Sequence, residues 1–180
     1  QNKCQEAINM HLESLHMRER LHSKNPEHPD ISDSLYNLGV AYSSLLDFMD
    51  DDELRMKAYE EAQKYIRQSL NMREKNSFTP KQDIADSYMN LGLLLERFEC
   101  YQEAMDNLKT SLDIRRGVKG LEHHQSIIYI LKRLAILNYR LNEHDLAFSC
   151  LHDSLDLLKV LYEQKSGYDK HNIALGIIEV

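Results

Sequence analysis

Apolar residues recur along the chain at helical spacing, not in strand-like alternation. Ile8, Leu12, Leu15 and Met17 define one apolar face, and Ile66, Leu70 and Met72 repeat it. Leu108, Leu112 and Ile114 form the next copy, and Leu151, Leu155 and Leu157 the one after. Each run predicts an amphipathic helix whose stripe must be buried against a neighbour. Between these runs lie other helices, each marked by Leu beside a small residue: Leu38-Gly39, Leu91-Gly92 and Leu134-Ala135. An Ile stands seven residues before each Leu, at Ile31, Ile84 and Ile127, and Ile173 begins a further copy. Breakers fall between the units. Pro26 and Pro29 precede one helix and Pro80 another, Gly117 and Gly120 end the helix containing Ile114, and Gly167 ends the last. Asp30, Asp83 and Ser126 are the expected N-caps.

The runs are copies of one unit. Ala7, Ala62, Ala104 and Ala147 are each followed eight residues later by the Leu of a Ser-Leu pair, at Leu15, Leu70, Leu112 and Leu155. Fixed-period self-similarity marks a repeat array, and such arrays usually work as binding surfaces. The chain divides into the second helix of a truncated repeat (1–25), repeats at 26–78, 79–120 and 121–167, and the start of another at 168–180. Two units place 13 residues between the Leu of the small-residue pair and the next Ala, enough for a tight corner between antiparallel helices. A small residue beside that Leu lets the two helices approach closely. The repeat at 26–78 departs from this, with 24 residues and hence an 11-residue insertion near 47–57 that carries Asp50-Asp51-Asp52-Glu53. An insertion at a repeat corner maps to the edge of the array, and reads either as a longer helix pair or loop or as an acidic contact element.

Composition narrows the function classes. The net charge is −7, from 29 acidic against 22 basic residues, which argues against nonspecific nucleic-acid binding. Cys4, Cys100 and Cys150 are odd in number and far apart, as expected of reduced thiols in a cytoplasmic chain. No apolar run is long enough to span a membrane. The start at Gln1, within or just before a helix, reads as a piece of a longer array. No HExxH, phosphate-binding glycine loop or nucleophile elbow occurs, so neither catalysis, a cofactor nor a metal is expected. His11 and His16, like His123-His124, lack companion ligands at metal-site spacing. Met17, Met72 and Met105 follow the helical period and are expected in the core.

Certain motifs carry a family resemblance. Leu38-Gly39 is followed by Tyr42, then by Tyr59-x-x-Ala62, and Tyr101-Gln-Glu-Ala104 repeats the last element. The chain thereby resembles tetratricopeptide repeat proteins. The long period, the Ser-Leu-x-Met/Ile-Arg segments at 14–18, 69–73 and 111–115, and His28-Pro29-Asp30 are similar to the repeats of kinesin light chains and nephrocystin-3-like proteins. Tyr36-Asn37-Leu38-Gly39 and Met89-Asn90-Leu91-Gly92 partly keep the Leu-Asn-Asn-Leu-Ala of kinesin light chains, where the third unit has Lys132-Arg133-Leu134-Ala135. The resemblance implies an all-α fold, a right-handed superhelix of antiparallel helix pairs. The first helices would line a concave groove for an extended peptide or a partner helix. Independently, a helix pair with one apolar stripe per helix must stack on its neighbours, which leaves one face concave and one convex.

Asn37, Asn90 and Arg133 precede the small-residue pair in successive units and are expected to form a row along the groove. An amide can donate to and accept from a peptide main chain, and a guanidinium offers a fork of donors to a carboxylate. Related domains use this position, as the resemblance implies; the alternative is a hydrogen bond between repeats. One turn earlier stand Asp33, Asp86 and Tyr129. Tetratricopeptide domains that clamp a terminal carboxylate tend to carry Lys there, so Asp disfavours that ligand. Arg97, Lys132, Arg133 and Arg140 make the later groove basic and leave the earlier groove acidic, which suits a mixed-charge peptide whose acidic residues meet the basic end. Val40, Leu93 and Ile136 are candidate apolar pockets or packing between units. The expected function is a protein-interaction scaffold, not an enzyme, with a protein or peptide partner and neither a nucleic acid nor a membrane. The alternatives are a structural spacer or self-association segment, with homo-oligomers forming through exposed repeat ends, and a sensor array attached to a catalytic domain elsewhere.

Overall fold

The computed structural model describes residues 2–118, 120 and 124–164. The expectations for His123, Gly167, Ile173 and the unit at 168–180 lie outside the described residues. Seven α-helices are described: α1 (Asn2–Leu21), α2 (Pro29–Leu45), α3 (Asp52–Lys75), α4 (Lys81–Arg97), α5 (Tyr101–Arg116), α6 (His124–Arg140) and α7 (His144–Gln164). They pack as sequential antiparallel pairs, α2 with α3, α4 with α5 and α6 with α7, an all-α arrangement consistent with a solenoid. No described helix is long and apolar enough to cross a membrane.

The small-residue pairs set the distance within each helix pair. A Cβ on Gly39 would stand 2.6 Å from Ile66 Cγ1 and 3.1 Å from the Ala62 carbonyl oxygen, and one on Gly92 would stand 2.8 Å from Leu108 Cγ and 3.0 Å from the Ala104 carbonyl oxygen. The recurring Ala of the second helix therefore faces the recurring Gly of the first. Two of the Ser-Leu serines also tie helices together. Ser69 Oγ donates to the Ser32 carbonyl and Ser111 Oγ to the Ala85 carbonyl, both at 2.7 Å and both from fully buried side chains. Each bond ties a second helix to the start of its own first helix and satisfies a buried hydroxyl that would otherwise be costly.

The corners explain the two spacings. Both short corners turn through a non-glycine residue in the left-handed region, Glu99 (φ 60°) and Asn142 (φ 62°). At the long corner, α3 starts at Asp52, ten residues ahead of Ala62, whereas α5 starts three ahead of Ala104. Most of the insertion is thus extra helix at the front of α3. The remainder lengthens the corner, which includes a 3-10 turn at Leu46–Phe48. The acidic run suits this position. Asp51 caps α3 by accepting from the Leu54 amide at 2.9 Å, while Asp52 and Glu53 occupy the first turn, where the helix dipole favours negative charge.

Several sequence expectations are corrected. Asp30 and Asp83 lie in the first turns of α2 and α4, and the capping positions are His28 and Pro80. Ser126 lies inside α6, which begins at His124. Met105 is buried, but Met17 is 63% exposed, because nothing described packs on that side of α1.

Two main core clusters run along the array, one centred on α1 and α2 and the other reaching from α3 to α6. Tyr42 and Met49 pack against both.

Candidate peptide-binding groove

The first helices α2, α4 and α6 together wall a cavity of about 390 Å³. Val40, Asn90, Leu93, Arg97, Tyr129 and Arg133 line it, joined by Ser43, Ser44 and Asp47. Six of the twelve residues proposed from sequence therefore come together at one place, contributed by three successive units. Ile136 and Arg140 lie elsewhere, in a more apolar cavity of about 510 Å³ between α6 and α7 with Tyr139, Phe148 and Leu151. Asn37, Lys132, Asp33 and Asp86 belong to neither lining.

Asn90, Arg97 and Arg133 in this lining each meet partners in the preceding unit. Asn90 Nδ2 donates to the Tyr36 hydroxyl at 2.6 Å and to the Asp86 carbonyl at 3.0 Å. Both bonds use the amide nitrogen, so the hydrogen bond between repeats is compatible with a groove role for the amide oxygen. Arg133 engages Glu96 through Nε at 3.0 Å and Nη2 at 2.5 Å, a forked pair with a carboxylate that is only 3% exposed. Arg97 donates Nη1 to the Ser43 carbonyl at 3.1 Å and Nη2 to the exposed Asp47 carboxylate. Arg140 donates to the Tyr101 hydroxyl at 2.9 Å and stacks over that ring.

Asp33 and Asp86, read from sequence as a repelling acidic row, are neutralised by arginines. Arg73 donates to Asp33 at 2.8 Å, and Arg115 donates to Asp86. These arginines close the Ser-Leu-x-Met/Ile-Arg segments, and their task was not legible from the motif alone. Arg18 reaches the Asp30 carbonyl and Ser34 Oγ, both at 2.8 Å. Arg73 reaches the equivalent Asp83 carbonyl at 2.9 Å and Ser87 Oγ at 2.8 Å. Arg18 of α1 and Arg73 of α3 thus each rivet the next first helix. In α6 the Ser34 and Ser87 position is held by Ile130, so Arg115 has no such hydroxyl to meet.

Tyr36 sits at the centre of this network, its ring under the Arg73 guanidinium at 4.4 Å. Burial raises its pKa, and the nearby Asp86 carboxylate adds to the rise against the opposing pull of Arg73 and Arg115. Burial, with help from Asp153, also raises the Cys150 thiol, which disfavours the nucleophilic thiolate.

His22, His28 and Asp30 place donor atoms within 4.8 Å of one another, a grouping not foreseen from sequence. The two imidazoles are stacked at 3.5 Å and nearly parallel. His28 Nδ1 already accepts from the Asp30 amide at 3.2 Å. His28 thus caps α2, while His22 Nε2 lies 3.3 Å from the Asp30 carboxylate.

Comparison with known proteins agrees with this architecture. Profiles described as tetratricopeptide repeat match residues 51–117 and 83–160, and another of the same description matches 1–30. No curated protein matches the chain. Among solved structures, BtubC (BKLC) from P. vanneervenii is similar, with a TM-score of 0.63 and 17% identity over 94% of this chain. This chain spans 62% of that one. A Podosopora anserina putative kinesin light chain with nearly identical TPR-like repeats is also similar, with a TM-score of 0.56 and 19% identity over 90% of this chain and 67% of that one. At these identities the likeness concerns the fold alone. The repeat profiles cover more than half of the sequence, the helices pair as such repeats require, and the chain belongs to the tetratricopeptide repeat family.

Proposed function

We propose that this chain is a protein-interaction scaffold that holds an extended peptide or partner helix along α2, α4 and α6. Tetratricopeptide repeats generally mediate protein–protein interactions. The observation that carries the reading is the shared cavity, in which Val40, Asn90, Leu93, Arg97, Tyr129 and Arg133 meet from three units. Asn90 would take a main-chain amide of the ligand, Val40 and Leu93 an apolar side chain, and the Arg97–Arg133 end an acidic one. A ligand of this kind binds in the micromolar range, about −8 kcal/mol.

The test is capture of a partner by the intact chain and by the Val40→Asp/Arg97→Glu variant. These positions are only partly buried, so circular dichroism and melting should stay close to the parent. Lost capture with a retained fold is the expected result, and undiminished capture rejects the groove. Arg133→Glu is unsuitable, because it would set a second carboxylate against buried Glu96.

A second reading, self-association, is supported by the apolar cavity between α6 and α7. Phe148 there is 72% exposed and Tyr139 66%, whereas Met105, which occupies the Phe148 position in the preceding unit, is buried. Light scattering across a dilution series, with Phe148→Glu as control, separates a dimer through this face from a monomer.

A further inference from the structure

The cavity walled by the first helices already contains one loosely held carboxylate. Asp47 lies on the long corner between α2 and α3 and pairs with Arg97. Counted from Leu38 and Leu91, the matching position of the α4–α5 corner is Cys100, which carries no such charge. The two acids facing the cavity arginines differ in kind. Glu96 is 3% exposed and grips Arg133 with both oxygens, making it a fixed part of the wall. Asp47 is 60% exposed, and its partner Arg97 is also anchored through the Ser43 carbonyl. Releasing Asp47 would therefore leave the Arg97 guanidinium in place, with a donor edge free.

We propose that Asp47 is a built-in competitor, and that an Asp or Glu side chain of an acidic peptide binds the Arg97 end of the cavity by displacing it. The proposal rests on the groove reading above and specifies its ligand chemistry. An exposed ion pair of this type is weak, so the competition should lower affinity by a factor of about two to five. Substitution of Asp47 should recover that factor, and only while Arg97 is present.

The experiment is a fluorescence-anisotropy titration of the intact chain with a labelled peptide of alternating Glu and Ala. A peptide of alternating Lys and Ala serves as the control. The proteins are the parent, Asp47→Asn, Arg97→Gln, the double variant, and Asp50→Asn, which removes the same charge from an exposed residue outside the cavity lining. Melting curves accompany each protein. The expected result is tighter binding by Asp47→Asn, about two- to fivefold, a smaller change for Asp50→Asn, and no gain from Asp47→Asn in the Arg97→Gln background. Equal gains from Asp47→Asn and Asp50→Asn would reduce the effect to bulk charge and overturn the proposal. Weakening by Arg97→Gln without any gain from Asp47→Asn would also overturn it, while leaving the groove reading intact. No preference for the acidic over the basic peptide in either the parent or Asp47→Asn would remove both the proposal and the acidic-ligand reading.

Discussion

Asn90 on α4 donates to the Tyr36 hydroxyl on α2 at 2.6 Å, directly across a repeat boundary. The amide is thus oriented by the neighbouring unit before any ligand arrives. Tyr36→Phe removes this one bond and leaves Asn90 its second partner, the Asp86 carbonyl. The expected loss is about 1 kcal/mol, read as a lower urea midpoint with an unchanged slope. Partner capture should fall less than in Asn90→Ala, since the amide itself survives.

Gly92 marks a close approach of α4 to α5. An added Cβ would stand 3.0 Å from a backbone carbonyl of α5, which cannot turn aside as a side chain can. Gly92→Ala should therefore cost about 1–3 kcal/mol, measured by thermal or urea unfolding. The same helix propensity gain that favours Ala elsewhere would not rescue it.

Arg73 joins three partners from two units: Asp33, Ser87 and the Asp83 carbonyl. Arg73→Met keeps the aliphatic stem but removes every one of these bonds. A loss of about 2–3 kcal/mol is expected, with faster amide exchange at the start of α4. Arg18 makes the matching contacts to α2, so Arg18→Met should loosen the α1–α2 junction in the same way.

Tyr88 gives a pH signature. Burial and its hydrogen bond to Glu74 push its pKa from 10.0 to about 12. Between those values the unfolded chain releases the phenolic proton while the folded chain retains it. The contribution of Tyr88 to stability is therefore complete below pH 10 and lost as pH rises toward 12. Melting temperatures in this window should fall less steeply for Tyr88→Phe than for the parent.

The helices were readable from the apolar period, and the repeat from the Ala and Ser-Leu spacing, because stacking places equivalent residues in equivalent surroundings. Gly39 and Gly92 were readable too, since close helix approach demands small residues. The groove was only partly readable. Spacing located the first helices, but it could not show that Tyr36, not Asn37, reaches the next unit, because adjacent residues on a helix point about 100° apart and tertiary packing decides which one faces inward. The pairing of Asp33 with Arg73 and of Asp86 with Arg115 joins residues 40 and 29 positions apart. Local charge patterning therefore read a balanced surface as an acidic one. His28 as the cap of α2 was hidden by the commoner capping residue two positions later.

Tyr42 and Met49 each belong to the surroundings of both main apolar clusters. Severing the chain at the long corner would strip side chains from the two halves at once, so neither would keep an intact interior. The array should accordingly melt as one block, and a partner that clamps any of its units would stiffen the others.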